Sequence, residues 1–568
     1  MSTKFAFNMR AEKIFIVGAP GAGKTTAAKE LAKKINSEFI DTDELIEKQE
    51  GKTIPEIFEE KGEKYFRNLE NQVIQRIVDL PEKEKIVVSL GGGAITNPEN
   101  LHKIREKGIV ICLYAEPEEI LKRIPKNSRP LLKGDNPLEK IKKILEEREK
   151  WYRISDFYID TTNIPKEETI KQIIDFLKIA EKLHFSRVNL AERSYDVIVG
   201  ENLFQDENLR EFLKRKLKNT LKSAKKTFLI TTSSIKEVPY GEENLGKVVS
   251  GFLSENFELY SVNLPDGENT KDAFYAIFLW NFLADKDIKK NDFLSILGGG
   301  VLGDLGGFVA ATYLRGISYI NIPTTLLAQV DSSIGGKTGI NTSLAKNMVG
   351  IIHQPAIVIS DISILKTLPE EDFLSGLGEV MKYAVSLKKE LLEFLISKRK
   401  EIFERDLQTL KHIVSRCADI KAKIVSEDEK EEKKTRMLLN FGHTIGHALE
   451  SALNFSIPHG FAVSIGILAE TKISDIIMSK NLFPQCLEIF RQFFNEKTQV
   501  ILKRLENINT EKFFSSMKLD KKTRGDEINF TLLEEFGKSK IEKIKIEDFE
   551  SVVRSVLGEV LKNLSSIA

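Results

Sequence analysis

Between Leu297 and Gly350 the chain reads LGGGVLGDLGGFVAATYLRGISYINIPTTLLAQVDSSIGGKTGINTSLAKNMVG, and this block restricts the fold more than any other. Gly298-x-Gly300-x-x-Gly303 follows the apolar run Phe293–Leu297. A strand that breaks into glycines before a helix is the layout of a dinucleotide phosphate loop, because backbone without Cβ atoms can turn tightly and approach a pyrophosphate. By itself such a loop is weak evidence, and the acid usual on the following strand is not obvious here. Arg315, Asp331, Lys337, Lys346 and Asn347 then follow at short intervals. Four charged groups among small residues exceed what a structural turn requires, so the block predicts a nucleotide next to an anionic substrate.

At 568 residues the chain is too long for one core, and about three or four domains are expected. Three regimes can be separated. Residues 1–182 alternate apolar strands (Ile14–Val17, Ile86–Leu90, Ile109–Tyr114) with charged helical stretches and close on a helix from Lys166 to Lys182. Residues 183–362 start a new strand series and carry the glycine block. Residues 363–568 lose strand signals to long amphipathic patterns, so an all-α domain is expected. The fold class is therefore α/β: a P-loop domain with a parallel sheet, a Rossmann-like domain, then a helical domain.

Net charge is +1, which removes any global pull toward nucleic acid or a membrane surface. No run approaches the ~20 apolar residues of a membrane span. Cys112, Cys417 and Cys486 are odd in number and far apart, which argues against a disulfide framework. A cytoplasmic protein without a signal peptide, acting on small molecules, is the expectation.

Gly18-Ala-Pro-Gly-Ala-Gly-Lys24-Thr25 matches G-x-x-x-x-G-K-[ST] between a strand and a helix. Gly21, Gly23, Lys24, Thr25 and Thr26 are thus read as ATP-binding, with Lys24 spanning the β- and γ-phosphates and Thr25 on Mg²⁺. Asp41-Thr-Asp43, Phe66-Arg67 with Glu70, Gly91-Gly92-Gly93, Ser128-Arg129-Pro-Leu-Leu and Glu147-Arg148 follow in that order. Singly each has a bland reading as turn, cap or solvated face. Together they resemble the shikimate kinase family over residues 12–175. That resemblance implies that Asp43, Arg67, Gly91, Gly92, Gly93 and Arg148 hold shikimate. It further implies that Thr25 and Asp41 organise Mg²⁺, and that Arg129 lies in a lid over ATP and acts with Lys24 in catalysis.

In the second half, His443 and His447 stand at i, i+4 in Leu-Leu-Asn440-Phe-Gly-His443-Thr-Ile-Gly-His447, on one helix face. His459 lies in Pro-His-Gly and Glu379 in Gly-Leu-Gly-Glu. Three of the seven histidines fall in these short motifs, which favours a divalent-metal site over core histidines. With the glycine block, these elements resemble the 3-dehydroquinate synthase family across about residues 185–560. The resemblance implies Zn²⁺ or Co²⁺ on Glu379, His443 and His459, with His447 facing the substrate. It implies NAD on Asp266, Gly267, Glu268, Lys271, Gly299, Gly300, Val301, Asp304, Thr324, Thr325, Lys346 and Thr367. Arg315, Asp331, Lys337, Asn347, Lys382, Lys421, Arg436, Asn440, His447 and Lys521 (or its neighbour Lys522) would surround a heptulosonate 7-phosphate, with Lys382, Lys421 and His447 taking catalytic parts. Thr231-Thr-Ser-Ser234 departs from the family, which often has Asp and Asn there.

The expectation is thus a fusion of two activities of aromatic amino acid biosynthesis, ATP-dependent phosphorylation of shikimate and NAD- and metal-dependent synthesis of 3-dehydroquinate. A homodimer through the synthase half is expected. Two alternatives for that half are a related sugar-phosphate cyclase and a metal- and NAD-dependent polyol dehydrogenase. For the first half, the alternative is a regulatory nucleotide-binding module.

Overall fold

A computed structural model describes residues 13–81, 85–124, 136–342, 346–493, 504, 508–518, 523–524 and 527–565. Arg129 and Lys521, with Lys522, lie outside the described residues. The chain divides into two compact units, one of residues 1–195 and 203–224, the other of residues 196–202 and 225–568.

In the first unit five parallel strands lie in the order Glu38–Asp41, Ile86–Ser89, Lys13–Gly18, Ile109–Tyr114, Phe157–Asp160. The three central strands are buried almost throughout, as their near-continuous Val/Ile runs require of a parallel sheet covered on both faces. Helices Lys24–Lys34, Ile54–Val78, Pro98–Lys107, Pro137–Tyr152 and Lys166–Lys182 supply the crossovers. Strand order reverses beside Lys13–Gly18, so its carboxyl end is the switch point where open α/β sheets bind ligands. Register places Ile16 and Asp41 on either side of Ser89, so the phosphate loop, Asp41 and Gly91–Gly93 emerge at one edge.

The second unit carries neighbouring parallel strands in the order Glu258–Leu264, Lys226–Thr232, Phe293–Gly298, Ser318–Pro323, Ile357–Asp361, Tyr195–Gly200. Helix Gly300–Thr312 springs from the central strand Phe293–Gly298, and an antiparallel hairpin, Lys337–Ile340 with Val349–Ile352, stands beyond it. A helical region follows, led by Glu370–Ser386, Leu407–Glu427, His443–Ala452 and His459–Met478. It also holds a second hairpin, Glu527–Glu535 with Lys538–Lys545, that fading strand signals did not announce. Its second strand is largely polar and exposed, so little hydrophobic alternation marks it.

Glycines set the helix crossings. A Cβ on Gly460 would lie 1.7 Å from the Ser375 carbonyl oxygen, and one on Gly378 2.1 Å from that of Gly460. Gly466 faces the Gly442 carbonyl in the same way, at 1.9 Å. Helices Glu370–Ser386 and His459–Met478 therefore touch backbone to backbone, and the chain entering His443–Ala452 lies against the latter.

Candidate active sites

The phosphate loop takes its shape from glycines in left-handed geometry. Gly18, Gly21 and Gly23 have φ of 138°, 82° and 92°, and Gly23 caps helix Lys24–Lys34. The helix N–H groups thus open toward the loop, and Lys24 Nζ folds back to donate to the Ala19 carbonyl at 3.0 Å. Thr25 Oγ1 donates to Asp41 Oδ2 at 2.8 Å and lies 3.3 Å from Ser89 Oγ. Thr26 follows in the first helical turn. Asp41 also caps helix Thr42–Glu50, accepting from the Asp43 N–H at 2.9 Å. A hydroxyl and a carboxylate already paired beside the loop are a suitable donor set for Mg²⁺.

Beside this lies a second group. Arg67 Nη1 pairs with Glu70 Oε2 at 2.8 Å and Nη2 with Glu63 at 3.0 Å. A Cβ on Gly93 would meet Arg67 Nη2 at 2.6 Å, and one on Gly91 would meet Glu70 Oε1 at 2.4 Å and Asp43 Oδ1 at 3.0 Å. The Tyr152 hydroxyl donates to the Gly92 carbonyl at 2.8 Å. Arg148 stands one turn earlier on the same helix, and its Nη1 is buried without a hydrogen-bond partner among the described residues. Burial raises the Glu70 carboxyl above its ordinary range; Arg67 and Arg148 oppose that and nearby Asp43 adds to it. The structure thus brings Asp43, Arg67 and Gly91–Gly93 together, with Arg148 close enough to act on Glu70. A buried, unsatisfied guanidinium nitrogen beside a second arginine suits a carboxylate ligand.

At Gly299, Gly300 and Gly303 the glycine block works by close approach rather than by unusual φ. Cβ atoms on Gly299, Gly300 and Gly303 would lie 3.2, 3.0 and 3.2 Å from Thr325 Cγ2, Ser332 Oγ and Asn321 Nδ2. The Thr324 N–H donates to the Gly298 carbonyl at 3.1 Å. Ser332 Oγ and Asn321 Oδ1 are buried without hydrogen-bond partners among the described residues, at the opening of helix Gly300–Thr312. Val301 and Asp304 lie on that helix, and Asp304 pairs with Lys271, which also donates to Asn347 Oδ1. Glu268 accepts from Asn341 Nδ2 at 2.7 Å and sits 4.0 Å from Lys346 Nζ, in the same turn as left-handed Gly267. Ser234, in the segment that departs from the family, donates to Asp266 Oδ1. Thr367 is exposed at the end of the turn Ile362–Thr367, its hydroxyl donating to the Ile364 carbonyl.

The histidines and Glu379 converge. Glu379 Oε1 lies 3.2 Å from His443 Nε2 and 3.1 Å from His459 Nε2. His443, His447 and His459 each offer a nitrogen, all within 4.8 Å of one another. Burial would lower the His459 imidazolium, but Glu450 and Glu379 outweigh it and raise its pKa, whereas burial wins at His443 and lowers it. The carboxylates therefore favour a cation among these imidazoles, and the donor set fits Zn²⁺ or Co²⁺.

A basic group continues from the metal cluster. Lys382 Nζ reaches Glu379 Oε2 at 2.7 Å and Asp331 Oδ1 at 3.3 Å, and Lys421 Nζ reaches Asp331 Oδ1 at 3.0 Å. Asp331 stays ionised below the usual range because Lys382 and Lys421 overcome its burial. Burial lowers Lys421 to about 8 against the pull of Asp331. Arg436 donates to the Gly335 carbonyl at 3.0 Å and shares Glu431 with Lys337. Asn440 ends the turn Thr435–Asn440, three residues before His443. Arg315 is not brought to this group. It sits in a left-handed turn at the far end of helix Gly300–Thr312, just before strand Ser318–Pro323 and so at the amino ends of the strands, away from Gly298.

Sequence reasoning missed Glu450 and Glu470. Glu450 is seven residues past His443, on the helix face that carries both histidines, and its Oε2 lies 3.0 Å from His459 Nδ1. That spacing was the available signal. Glu470 is fully buried and accepts from the Gly442 and Ile445 N–H groups at 2.7 and 3.2 Å, anchoring the start of the histidine helix. Nothing local in sequence marks that role.

Comparison with known proteins follows the same division. The shikimate kinase family matches residues 20–178, and the 3-dehydroquinate synthase N-terminal and C-terminal families match residues 261–375 and 376–523. The bifunctional shikimate kinase/3-dehydroquinate synthase of Thermotoga maritima is 32% identical over 540 residues, covering 95% of this chain and 99% of that protein. The 3-dehydroquinate synthase of Thermodesulfovibrio yellowstonii is 40% identical over 371 residues, covering 65% of this chain and 98% of that protein. Among solved structures, 2-deoxy-scyllo-inosose synthase complexed with carbaglucose-6-phosphate, NAD⁺ and Co²⁺ shares the second unit's fold, with a TM-score of 0.55, 22% identity, and coverage of 66% of this chain and 100% of that one.

Proposed function

The chain belongs to the bifunctional shikimate kinase/3-dehydroquinate synthase family, and on that premise we propose how its residues carry the two reactions. One activity phosphorylates shikimate at the expense of ATP; the other converts 3-deoxy-D-arabino-heptulosonate 7-phosphate to 3-dehydroquinate and phosphate. Family membership favours these over a sugar-phosphate cyclase, a polyol dehydrogenase or a regulatory module.

In the first site the loop N–H groups and Lys24 hold the transferring phosphates, and Thr25 with Asp41 would hold Mg²⁺. Arg67 and Arg148 bind the shikimate carboxylate, and Asp43 orients the hydroxyl that attacks. Phosphoryl transfer asks little more than this positioning and charge neutralisation. Arg129 is assigned to the lid by resemblance alone.

In the second site Glu379, His443 and His459 would hold the metal, and the loop at Gly299–Gly300 with Lys271, Asp304 and Lys346 would hold NAD. When bound, the metal would acidify a substrate hydroxyl and NAD would take the hydride from its carbon, making the neighbouring C–H acidic enough for phosphate to leave before the hydride is returned. Lys382, Lys421, Arg436 and Lys337 present cations to the phosphate dianion. Asp331 spaces Lys382 from Lys421, keeping two buried ammonium groups at one place. His447, beside the metal ligands, faces the substrate as a hydrogen-bonding group rather than as a further ligand.

The observation that carries this reading is the convergence of Glu379 and three imidazoles beside the Lys382–Asp331–Lys421 group. A paired assay on one sample tests it. ATP consumption should depend on shikimate, and phosphate release from the heptulosonate phosphate should need catalytic NAD and Zn²⁺ without net NADH; accumulation of NADH would overturn it. A cytoplasmic location accords with three buried, unpaired cysteines. A homodimer through the second unit is supported by exposed Phe274, Ile277 and Phe278 on one helix face, and sedimentation would test it.

A further inference from the structure

Glu450 joins two parts of the second site that the reaction must use together. Its carboxylate is buried and divided between two partners: Oε2 lies 3.0 Å from His459 Nδ1, and Oε1 lies 3.7 Å from Lys346 Nζ. His459 turns its other nitrogen to Glu379 at 3.1 Å. Lys346 in turn is 4.0 Å from Glu268 and lies over the Phe455 ring at 4.3 Å from its centre. Phe455 is fastened to the same helix, its N–H donating to the Glu450 carbonyl at 2.7 Å.

A carboxylate on the remote nitrogen of a ligating histidine fixes its tautomer and ring orientation and raises its basicity. Lys346 precedes the strand Val349–Ile352 of the first hairpin, whereas Glu450 lies on the histidine helix. One carboxylate thus ties the segment assigned to the nicotinamide cofactor to a residue assigned to the metal. We propose that Glu450 is a positioning residue that orients His459 and, through Lys346, makes cofactor binding and metal binding strengthen each other. This inference rests on the metal and NAD reading of the site. Linkage then requires that NAD change metal affinity by the same factor as the metal changes NAD affinity.

The test measures binding in the full-length protein rather than turnover. Metal affinity of stripped protein is read by competition with a chromogenic chelator, using Zn²⁺ or Co²⁺, with and without saturating NAD; NAD affinity is read with and without metal. The parent should bind metal more tightly when NAD is present. Glu450→Ala should weaken metal binding about 10- to 100-fold and remove the NAD dependence. Glu450→Gln keeps size and one hydrogen bond, and should retain more metal affinity while losing the Lys346-mediated coupling. Cobalt absorption supplies a second readout, since a reoriented His459 should alter the ligand-field bands. Unchanged affinity in a folded Glu450→Ala protein would overturn the positioning role, and weakened metal binding with an intact NAD effect would overturn the coupling. A His443→Ala variant separates the levels: if it keeps parental metal affinity, the metal reading itself fails and this inference fails with it.

Discussion

Arg148 shows what a residue can disclose before any ligand is seen. It is a half-buried arginine whose Nη1 is buried without a hydrogen-bond partner among the described residues, near a glutamate and a glycine turn, a costly arrangement in the absence of an anionic ligand. Arg148→Ala should raise the KM for shikimate roughly 10- to 100-fold, the size of a lost hydrogen bond to a charged group, while ATP affinity holds. An unchanged shikimate KM in initial-rate measurements would remove Arg148 from the site. Lys421 gives a pH prediction. Burial lowers it to about 8 in the folded protein, so phosphate binding should weaken and the KM for the heptulosonate phosphate rise as pH passes about 8. Lys421→Arg should move that inflection out of range in a pH–KM profile. The stability sign is opposite: the native state binds the proton more weakly than the unfolded chain, so this penalty is full below about 8 and relieved at higher pH. Candidate residues were legible where a motif set their spacing, as with Lys24, Asp41 and His443. Glu470 was not, because its partners are N–H groups more than twenty residues away.

At the level of elements, glycine placement decides whether side chains from separate helices can meet. Helices Glu370–Ser386 and His459–Met478 each begin with or carry a ligand candidate, and they approach through Gly378 and Gly460. Gly460→Ala would set a methyl group against the Ser375 carbonyl, which cannot yield without moving the helix. The expected cost is about 1–3 kcal/mol or more, read as a lowered Tm together with loss of bound metal. A variant that keeps both would show that the crossing tolerates displacement. The strand–loop–helix units at Gly18–Thr25 and Phe293–Gly303 were readable because apolar runs and glycines alternate locally. The hairpin Glu527–Lys545 was not, because its outer strand is polar and its pairing lies in register, not composition.

For the whole molecule, two compact units imply two reactions that can be switched off separately. A zinc-selective chelator, with Mg²⁺ in excess, should abolish phosphate release and leave shikimate phosphorylation intact. Lys24→Ala should do the reverse; a parallel fall in both activities would show dependence between the halves. The amino-acid order alone determined the phosphate loop, the glycine block and the histidine motifs, since these rest on spacings within a strand–turn–helix or one helical face, while the two reactions came from the family resemblance those motifs carry. Tertiary structure decided which candidates share a site. Glu379, His443 and His459 meet because glycine crossings bring separate helices into contact, and Glu450 bridges His459 to Lys346 because the segment before strand Val349–Ile352 brings that lysine to the histidine helix. Arg315 stays apart because a helix of thirteen residues carries it to the amino ends of the strands. Local spacing follows from covalent geometry, whereas convergence over long separations depends on how surfaces pack.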